Sequence, residues 1–444
     1  MARAPARSVF CLSLGCSKNT VDSERLMGAI AEAGYKTAPQ ADGADVAIVN
    51  TCGFIRPAVE ESIGAILDLV ELKSRGSVRL VGVVGCLVAR YGGELRQNIP
   101  EVDFWAGCEE IAPILKALSG GASEFSGDDG RRRLPGSSSH VRYLKISEGC
   151  SAACSYCTIP AIRGPSRSRA VGDIVGEAAG LARDGAVEIC LVAQDLTSYG
   201  ADRGENDGLV SLLDELETSL PGDLWLRLLY LQPSGVSRAL LERVAGGRQV
   251  LPYLDIPIQH SAPKILNLMN RVEGSMGMSE IFETAREIRP DFALRTTCMV
   301  GFPGESRSDF EHLLRFLEKI RFDRVGAFAF SPEEGTVAEG LPGQVPKRTG
   351  SSRLERLMAF QADISLSRQA LFVGRELDVL IDSADADGTA EGRSFREAPD
   401  VDGVIELVGA HRGARPGDRV RALVTDASEH DLAAEIVAGA AWGG

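Results

Sequence analysis

Three of the ten cysteines in this 444-residue chain fall within eight residues, at Cys150, Cys154 and Cys157 in "EGCSAACSYCTIP". Clustered thiolates in a chain of this kind ligate zinc or iron–sulfur clusters. A structural zinc site is closed by four ligands, and the nearest histidines, His140 and His260, do not lie at zinc-knuckle spacing. In a cubic 4Fe-4S cluster each iron takes one outside ligand, so three protein thiolates leave one iron open to a substrate or cofactor. Zinc and unliganded buried thiols are the competing readings of the same residues. The triplet follows the strand candidate "VRYLKIS", so it occupies a loop beyond a strand's C-terminal end, where wound sheets and barrels build their sites.

A second set is spread out. Cys16, Cys52 and Cys86 each end an apolar run, in "LSLGCSKN", "IVNTCGF" and "GVVGCLVARY", at intervals of 36 and 34 residues. That interval is about one strand–helix repeat. In a parallel sheet it brings all three thiols to one edge, with Asn19 and Asn50 placed to hydrogen-bond nearby, and a second cluster with an open iron becomes possible. The competing reading is cysteine as a small buried hydrophobe. Cys11, Cys108, Cys190 and Cys298 are read in that way; Cys108, at the end of "VDFWAGC", imitates a ligand most closely.

The elements that must position these residues alternate. Residues 1–120 give strands "SVFCLSLG", "ADVAIVNTCGF" and "SVRLVGVVGCL" between amphipathic helices, an α/β domain with a parallel sheet. Residues 121–139, rich in Gly, Ser, Asp and Arg, read as a linker. Residues 140–370 give six strand candidates: "VRYLKIS", "EICLVAQ", "WLRLLYL", "YLDIPIQ", "FALRTTCMV" and "RVGAFAF". Six repeats are too few for a closed eight-fold barrel, so an open (β/α)6 partial barrel is expected. Residues 371–444 turn to short strands separated by Gly and Asp, a small antiparallel β-barrel.

Composition narrows the class. The net charge of -14 argues against a uniformly basic nucleic-acid binder and suits a basic partner. No apolar run approaches the roughly 18 residues of a membrane span. The apolar stretch Val9–Leu14 is too short for a secretion signal, which points to a cytoplasmic protein whose cysteines are thiols or ligands.

The triplet resembles the radical S-adenosylmethionine (SAM) enzymes, in which C-x3-C-x2-C holds a 4Fe-4S cluster whose open iron is chelated by SAM. The resemblance implies electron donation, SAM cleavage and a deoxyadenosyl radical that abstracts a substrate hydrogen, with Tyr156 packing the adenine. Over nearly the whole chain, "GCSKNTVDSE", "NTCGFI", "GCLVARY", "EGCSAACSYCTIPAIRGPSRSR" and "LVAQDLTSYG" resemble the methylthiotransferases. That family implies two 4Fe-4S clusters, the auxiliary one on Cys16, Cys52 and Cys86, together with SAM as methyl donor and radical source, and a C-terminal TRAM barrel. An electron donor such as flavodoxin and a sulfur donor are implied partners.

Further candidates stand near the strand ends. Arg163, Arg167 and Arg169 in "IRGPSRSRA" suit an anionic substrate group, since Arg pairs bidentately with carboxylate or phosphate; a solvated charged loop is the plainer reading. Gln194, Asp195, Gln259 and Arg295 are candidates for SAM binding, and capping of the following loop is the plainer role for the first two. His260 is more often structural than catalytic in such a context.

The family's branches act on transfer RNA adenosine or on an aspartate β-carbon of small-subunit ribosomal protein S-twelve. Residues 371–444 carry 7 Lys or Arg against 15 Asp or Glu. A barrel that binds RNA should be basic, and an acidic one attracts a basic protein. "GRSFREAPDVDG" and "IPIQHSAPKIL" also resemble the ribosomal-protein branch. A cluster-bearing RNA-binding or sensor protein without radical chemistry is the reading from another class.

Overall fold

The computed structural model describes residues 8–119, 138–271, 274–385, 388–408 and 414–441; all but the last two residues of the expected linker lie outside the described residues. The chain packs as two units. The first takes residues up to 138 with 143–152 and 157–167, and the second takes the remainder.

In the first unit β1 (Ser8–Ser13), α1 (Ser17–Glu32), β2 (Lys36–Thr37), β3 (Val46–Thr51), α2 (Arg56–Ser74), β4 (Leu80–Gly85), α3 (Cys86–Asn98), β5 (Phe104–Ala106) and α4 (Ile111–Leu118) alternate. All pairs are parallel, in the order β2-β1-β3-β4-β5. The central β3 is buried at every residue because helices cover both faces. Val46 and Ile48 pack with Leu26, Met27 and Ile30 of α1 and with Ile114 and Leu115 of α4. Ala47 and Val49 face the other way, toward Ile66 and Leu69 of α2 and Leu87 of α3. The helices after β1 and β3 therefore leave to opposite faces, and the C-terminal ends of these two strands flank a topological switch point.

The remaining chain contains β6 (Val141–Lys145), β7 (Ser147–Glu148), α5 (Ile159–Arg163), β8 (Arg167–Ser168), α6 (Val171–Arg183), β9 (Glu188–Val192), α7 (Gly208–Ser219), β10 (Trp225–Leu228), α8 (Arg238–Gly246), β11 (Tyr253–Asp255), α9 (Pro263–Leu268), α10 (Met278–Ile288), β12 (Ala293–Val300), α11 (Arg307–Ile320), β13 (Arg324–Ala329) and the long α12 (Lys347–Gln369). In the second unit β9 and β10 pair in parallel, as do β11, β12 and β13. A bridge from Leu226 to Val250 joins the two sets. The carbonyl of His140, just before β6, accepts from the N–H groups of Val187 and Glu188. All six expected strands are present.

Five strands close the C-terminal barrel: β14 (Glu376–Ala384), β15 (Ala390–Arg393), β16 (Ile405–Val408), β17 (Arg419–Ala427) and β18 (Leu432–Ala441), in the order β14-β15-β16-β18-β17. Alternate residues Leu377, Val379, Ile381, Ile405, Leu407, Val424 and Leu432 fill it. The expectation of a wholly antiparallel barrel needs correction, because β16 and β18 run parallel with Ile405 opposite Leu432. The chain leaves β16 to pair β17 with β14, and the hairpin return then lays β18 beside β16 in the same direction.

The loop after β15 binds this barrel to the N-terminal ends of the partial-barrel strands. Glu188, fully buried at the start of β9, accepts from Arg227 Nε at 2.6 Å and Arg393 Nη1 at 2.7 Å. Arg227 donates onward to the carbonyls of Phe395 and Ser394. Asp323, ahead of β13, is bound by Arg286, Arg368 and Arg396. Much of "GRSFREAPDVDG" is thus buried in this lock, with Arg396 and Glu397 at 1% and 0% exposure. Burial alone would raise the Glu188 carboxyl, but Arg227 and then Arg393 hold it below its ordinary value of 4.5. Its stabilisation is therefore complete above that value and is lost on acidification. Replacing Glu188 with Gln strips buried Arg227 of its anion and leaves Arg393 to Asp382, a loss of about 3–5 kcal/mol. Thermal melts should show a lowered midpoint at neutral pH that converges on wild type as the pH falls below the 4.5 reference value; a pH-independent difference would contradict the pairing.

A cysteine-lined edge as the candidate cluster site

Each cysteine of the spread set stands where a strand hands over to the following helix. Cys16 is the N-cap of α1, in extended conformation (φ -98°, ψ 170°). Cys52 follows β3 directly, and Cys86 is the first residue of α3, directly after β4. The parallel register sets Ser13 beside Asn50 and Thr51 beside Gly85, so the three exits lie level. Their approach is close: a Cβ added to Gly15 would lie 3.1 Å from Cys52 Sγ. Two buried asparagines staple the exits. Asn19 Nδ2 donates to the carbonyls of Leu14 at 2.9 Å and Thr51 at 3.1 Å. Asn50 Nδ2 donates to Asn19 O and Ser23 Oγ, each at 2.9 Å. The Cys86 thiol faces Asn19 Oδ1 at 3.6 Å. Helix N-termini favour thiolates, and thiolates are the ligating form.

The thiols are not equivalent. Burial raises that of Cys52. Cys86 is lowered to about 6, first by the hydrogen bond with Cys108 and then, against burial, by Arg163. Cys108, read from sequence as a core thiol, lies half-buried with Sγ 3.8 Å from Cys86 Sγ. It also lines a cavity of about 340 Å³ with Arg96, Glu109, Arg163 and Arg167. Cys11, Cys190 and Cys298 are buried, as expected of core residues.

The first unit includes the segment that carries Cys150 and Cys157. Gly149 has φ 75°, and a Cβ there would lie 2.2 Å from the carbonyl of Pro165, so only glycine admits this fold-back. The N–H of Cys150 donates to Gly164 O at 3.0 Å, and that of Ala152 to Cys150 Sγ at 3.4 Å. Arg163, at the end of α5, is buried and fully engaged. It donates to Glu148 at 2.9 Å, Asn19 Oδ1 at 2.7 Å, Asp22 at 3.0 Å and Cys86 Sγ at 3.2 Å. This corrects the sequence reading of Arg163 as a substrate contact: its guanidinium is spent inside the unit. Asp22, Glu109 and Glu148 converge as a metal site would. Lys145 Nζ fills the centre, 2.5 Å from Asp22 and Glu148 and 2.6 Å from Glu109. Burial opposes these charges, but Lys145 and then Arg163 hold the Glu148 carboxyl down at about 2.

Cys154 belongs to the second unit with its neighbours. There Ser155 binds the carbonyls of Met269 and Leu268. Tyr156 meets Phe302 edge-on with centroids 6.3 Å apart and accepts from Arg271 at 3.2 Å. Gln194, just past β9, has both amide atoms buried without a partner, and so has Gln259 Oε1. Gln259 also holds φ 65°, a strained value for a non-glycine residue. Asp195 takes the plainer role, accepting from Thr197 N at 2.9 Å as the cap of the next turn. Arg169 pairs with Glu177 at 2.6 Å, and Arg167 is exposed. His260 accepts from Ala262 N, and its Nε2 lies 3.6 Å from Glu305. Arg295 departs from the sequence reading. It is the third residue of the eight in β12, and Asp255 at 2.8 Å and Asp402 at 3.3 Å hold it near the strand's start.

Sequence reasoning passed over Asp22, Lys145 and Glu148. Their one signal was charge in short apolar contexts beside cysteines, as in "NTVDSE" and "YLKISEGC".

The residue sets that could hold cofactors fit their chemistry. Two groups of three thiols, helix N-termini and orphaned buried amides suit thiolate-bound clusters and a polar small molecule. Comparison with known proteins agrees. Residues 8–107 match the uncharacterized protein family UPF0004, residues 144–317 the radical SAM superfamily and residues 373–437 the TRAM domain. The ribosomal protein uS12 methylthiotransferase RimO of Anaeromyxobacter sp. (strain Fw109-5) is 42% identical over 440 residues, covering 97% of this chain and 93% of the relative. That of Geobacter sulfurreducens is 42% identical over 442 residues, covering 97% and 98%. Among solved structures, the radical S-adenosylmethionine methyltransferase TsrM from Kitasatospora setae, with cobalamin and a 4Fe-4S cluster bound, aligns with a TM-score of 0.56 at 13% identity, covering 81% of this chain and 89% of that one. That likeness concerns the fold.

Removing the central ammonium tests the charge cluster. Lys145→Ala leaves three facing carboxylates, a destabilisation of about 3–5 kcal/mol. Millimolar calcium or manganese should raise the variant's thermal midpoint and leave wild type unmoved, since hard cations take carboxylate oxygens. Equal responses would contradict the arrangement.

Proposed function

The chain belongs to the RimO family of radical SAM methylthiotransferases, and from that premise we propose that it places a methylthio group on the β-carbon of an aspartate of ribosomal protein uS12. The convergence of Cys16, Cys52 and Cys86 at one sheet edge carries this reading, because radical SAM chemistry alone needs only the triplet. Cys150, Cys154 and Cys157 would hold one 4Fe-4S cluster, and Cys16, Cys52 and Cys86 the other. When bound, the clusters and SAM supply the electron, the methyl group, the sulfur and the hydrogen-abstracting radical.

The protein's part is positioning. The orphaned amides of Gln194 and Gln259 would take polar groups of SAM, and Tyr156, braced by Phe302 and Arg271, would pack its adenine. Asn19 and Asn50 keep the three strand exits in register. Arg167 is the one of the three sequence candidates left exposed for a substrate carboxylate, Arg169 being held by Glu177. A low-potential donor of the flavodoxin class and a separate sulfur donor would serve the enzyme in the cytoplasm. Among the described residues no helix is long and apolar enough to cross a membrane.

The C-terminal barrel supports a protein substrate over RNA. The lock consumes Glu397, Asp402 and Asp382 along with Arg393 and Arg396. On the outer face Glu391 stands opposite Glu406, both exposed, with Glu435 exposed on the next strand. Like charges in direct register are unfavourable within the sheet and attract a basic partner.

With SAM and a strong reductant, Cys154→Ala should yield no deoxyadenosine. Cys52→Ala should cleave SAM yet leave uS12 unmodified by mass spectrometry; sulfur insertion by that variant would refute the auxiliary assignment. A Glu391→Lys/Glu406→Lys double variant should raise KM for uS12 about tenfold or less per charge pair, with SAM cleavage intact. Cells lacking the protein should lose the methylthio group from uS12; loss from transfer RNA instead would favour the RNA branch.

A further inference from the structure

Cys86, one of the six assigned ligands, receives a hydrogen bond from a buried guanidinium. The donor comes from far along the chain, from the end of the short helix α5 that follows the C-x3-C-x2-C triplet. Arg163 Nη2 sits 3.2 Å from Cys86 Sγ and is fixed there by Asn19 and Asp22, while Nη1 is held by Glu148. The residue after it, Gly164, accepts the N–H of Cys150. One residue therefore touches a ligand of the spread set with its side chain and supports a ligand of the triplet through its backbone neighbour. Its side chain is 2% exposed, so water does not compete for the sulfur.

We propose that Arg163 is a positioning residue that sets the reduction potential of the cluster held by Cys16, Cys52 and Cys86, through a charge-assisted N–H···S bond to Cys86. This rests on the assignment of those three cysteines as ligands. The physics is direct. One-electron reduction adds a negative charge to the cluster, and a buried cation with an N–H aimed at a ligand sulfur stabilises the reduced form. Asp22 and Glu148 keep the guanidinium oriented and, with Glu109, balance its charge and that of Lys145. Lys at this position would keep the charge but lacks the planar fork that meets Glu148 and Cys86 together. The bond also gives Arg163 a role different from a substrate contact: it acts through Cys86, and it makes that corner of the cluster unlike the corners at Cys16 and Cys52.

The test uses the full-length protein in a Cys154→Ala background, so that only the second cluster contributes. A Cys86→Ala control should lose most of the remaining iron; if it keeps the iron, the ligand assignment fails, not the role of Arg163. Arg163→Met should retain the iron, and an EPR-monitored redox titration should show the ratio of reduced to oxidised cluster about tenfold lower at any fixed potential, equivalent to a midpoint about 59 mV more negative for a one-electron couple. Arg163→Lys should fall between. An unchanged midpoint in Arg163→Met with full iron overturns the proposal. If Arg163→Met does not fold, the same background labelled with [15N]arginine decides: a 15N hyperfine coupling to the reduced cluster supports the bond, and its absence overturns it.

Discussion

A parallel sheet delivers every strand to the same edge, and the proposed cluster chemistry depends on that constraint. Three short strand exits, after β1, β3 and β4, reach the edge at one level, and each carries a cysteine. The fourth ligand of a closed site would have to come from another exit. β5 brings Cys108 beside Cys86, with the two sulfurs 3.8 Å apart. The edge is polar as well as thiol-lined. Asn19 and Ser62 pair with the strand-end groups of Thr51 and Cys52, and Asn50 ties β3 to α1, so the exits cannot drift apart without orphaning buried donors.

Charge compensation shapes both units. At the cysteine edge Lys145 and Arg163 neutralise Asp22 and Glu148, and the surplus guanidinium contact falls on Cys86. In the second unit Glu188 and Asp323 anchor five arginines contributed by strands, helices and the loop after β15. That lock uses the N-terminal ends of the barrel strands. At the opposite end of β9, Gln194 stands with both amide atoms unsatisfied. The lock takes up part of the barrel's charge, and Glu391 of β15 and Glu406 of β16 stay exposed opposite one another.

Elements with a repeated period were legible in the sequence. Apolar, β-branched runs separated by amphipathic helices marked β1, β3 and β4, and the spacing of Cys16, Cys52 and Cys86 pointed to one edge of a parallel sheet. Charges were legible only as charges. Arg163 looked like an anion-binding residue because its true partners, Asp22 and Asn19, lie more than 140 residues away. Arg295 looked like a site residue because a strand's sequence does not say which end a side chain serves; Asp402 from the C-terminal barrel claims it. The direction of β18 escaped for a similar reason, since alternation of buried and exposed residues reads the same along either direction of a strand. Cys108 was classed with the core thiols because nothing local reveals that β5 lies beside β4.

The central claim is that each set of three cysteines holds a cluster with one iron that no protein thiolate caps. Mössbauer spectroscopy of anaerobically prepared, 57Fe-enriched protein, with iron counted on the same sample, tests it most directly. The account predicts about eight irons per chain in two cubic clusters, each with one iron distinguishable from its three cysteine-bound neighbours and perturbed by added exogenous ligand. About four irons per chain, or spectra of clusters fully capped by cysteine and indifferent to added ligand, would contradict it.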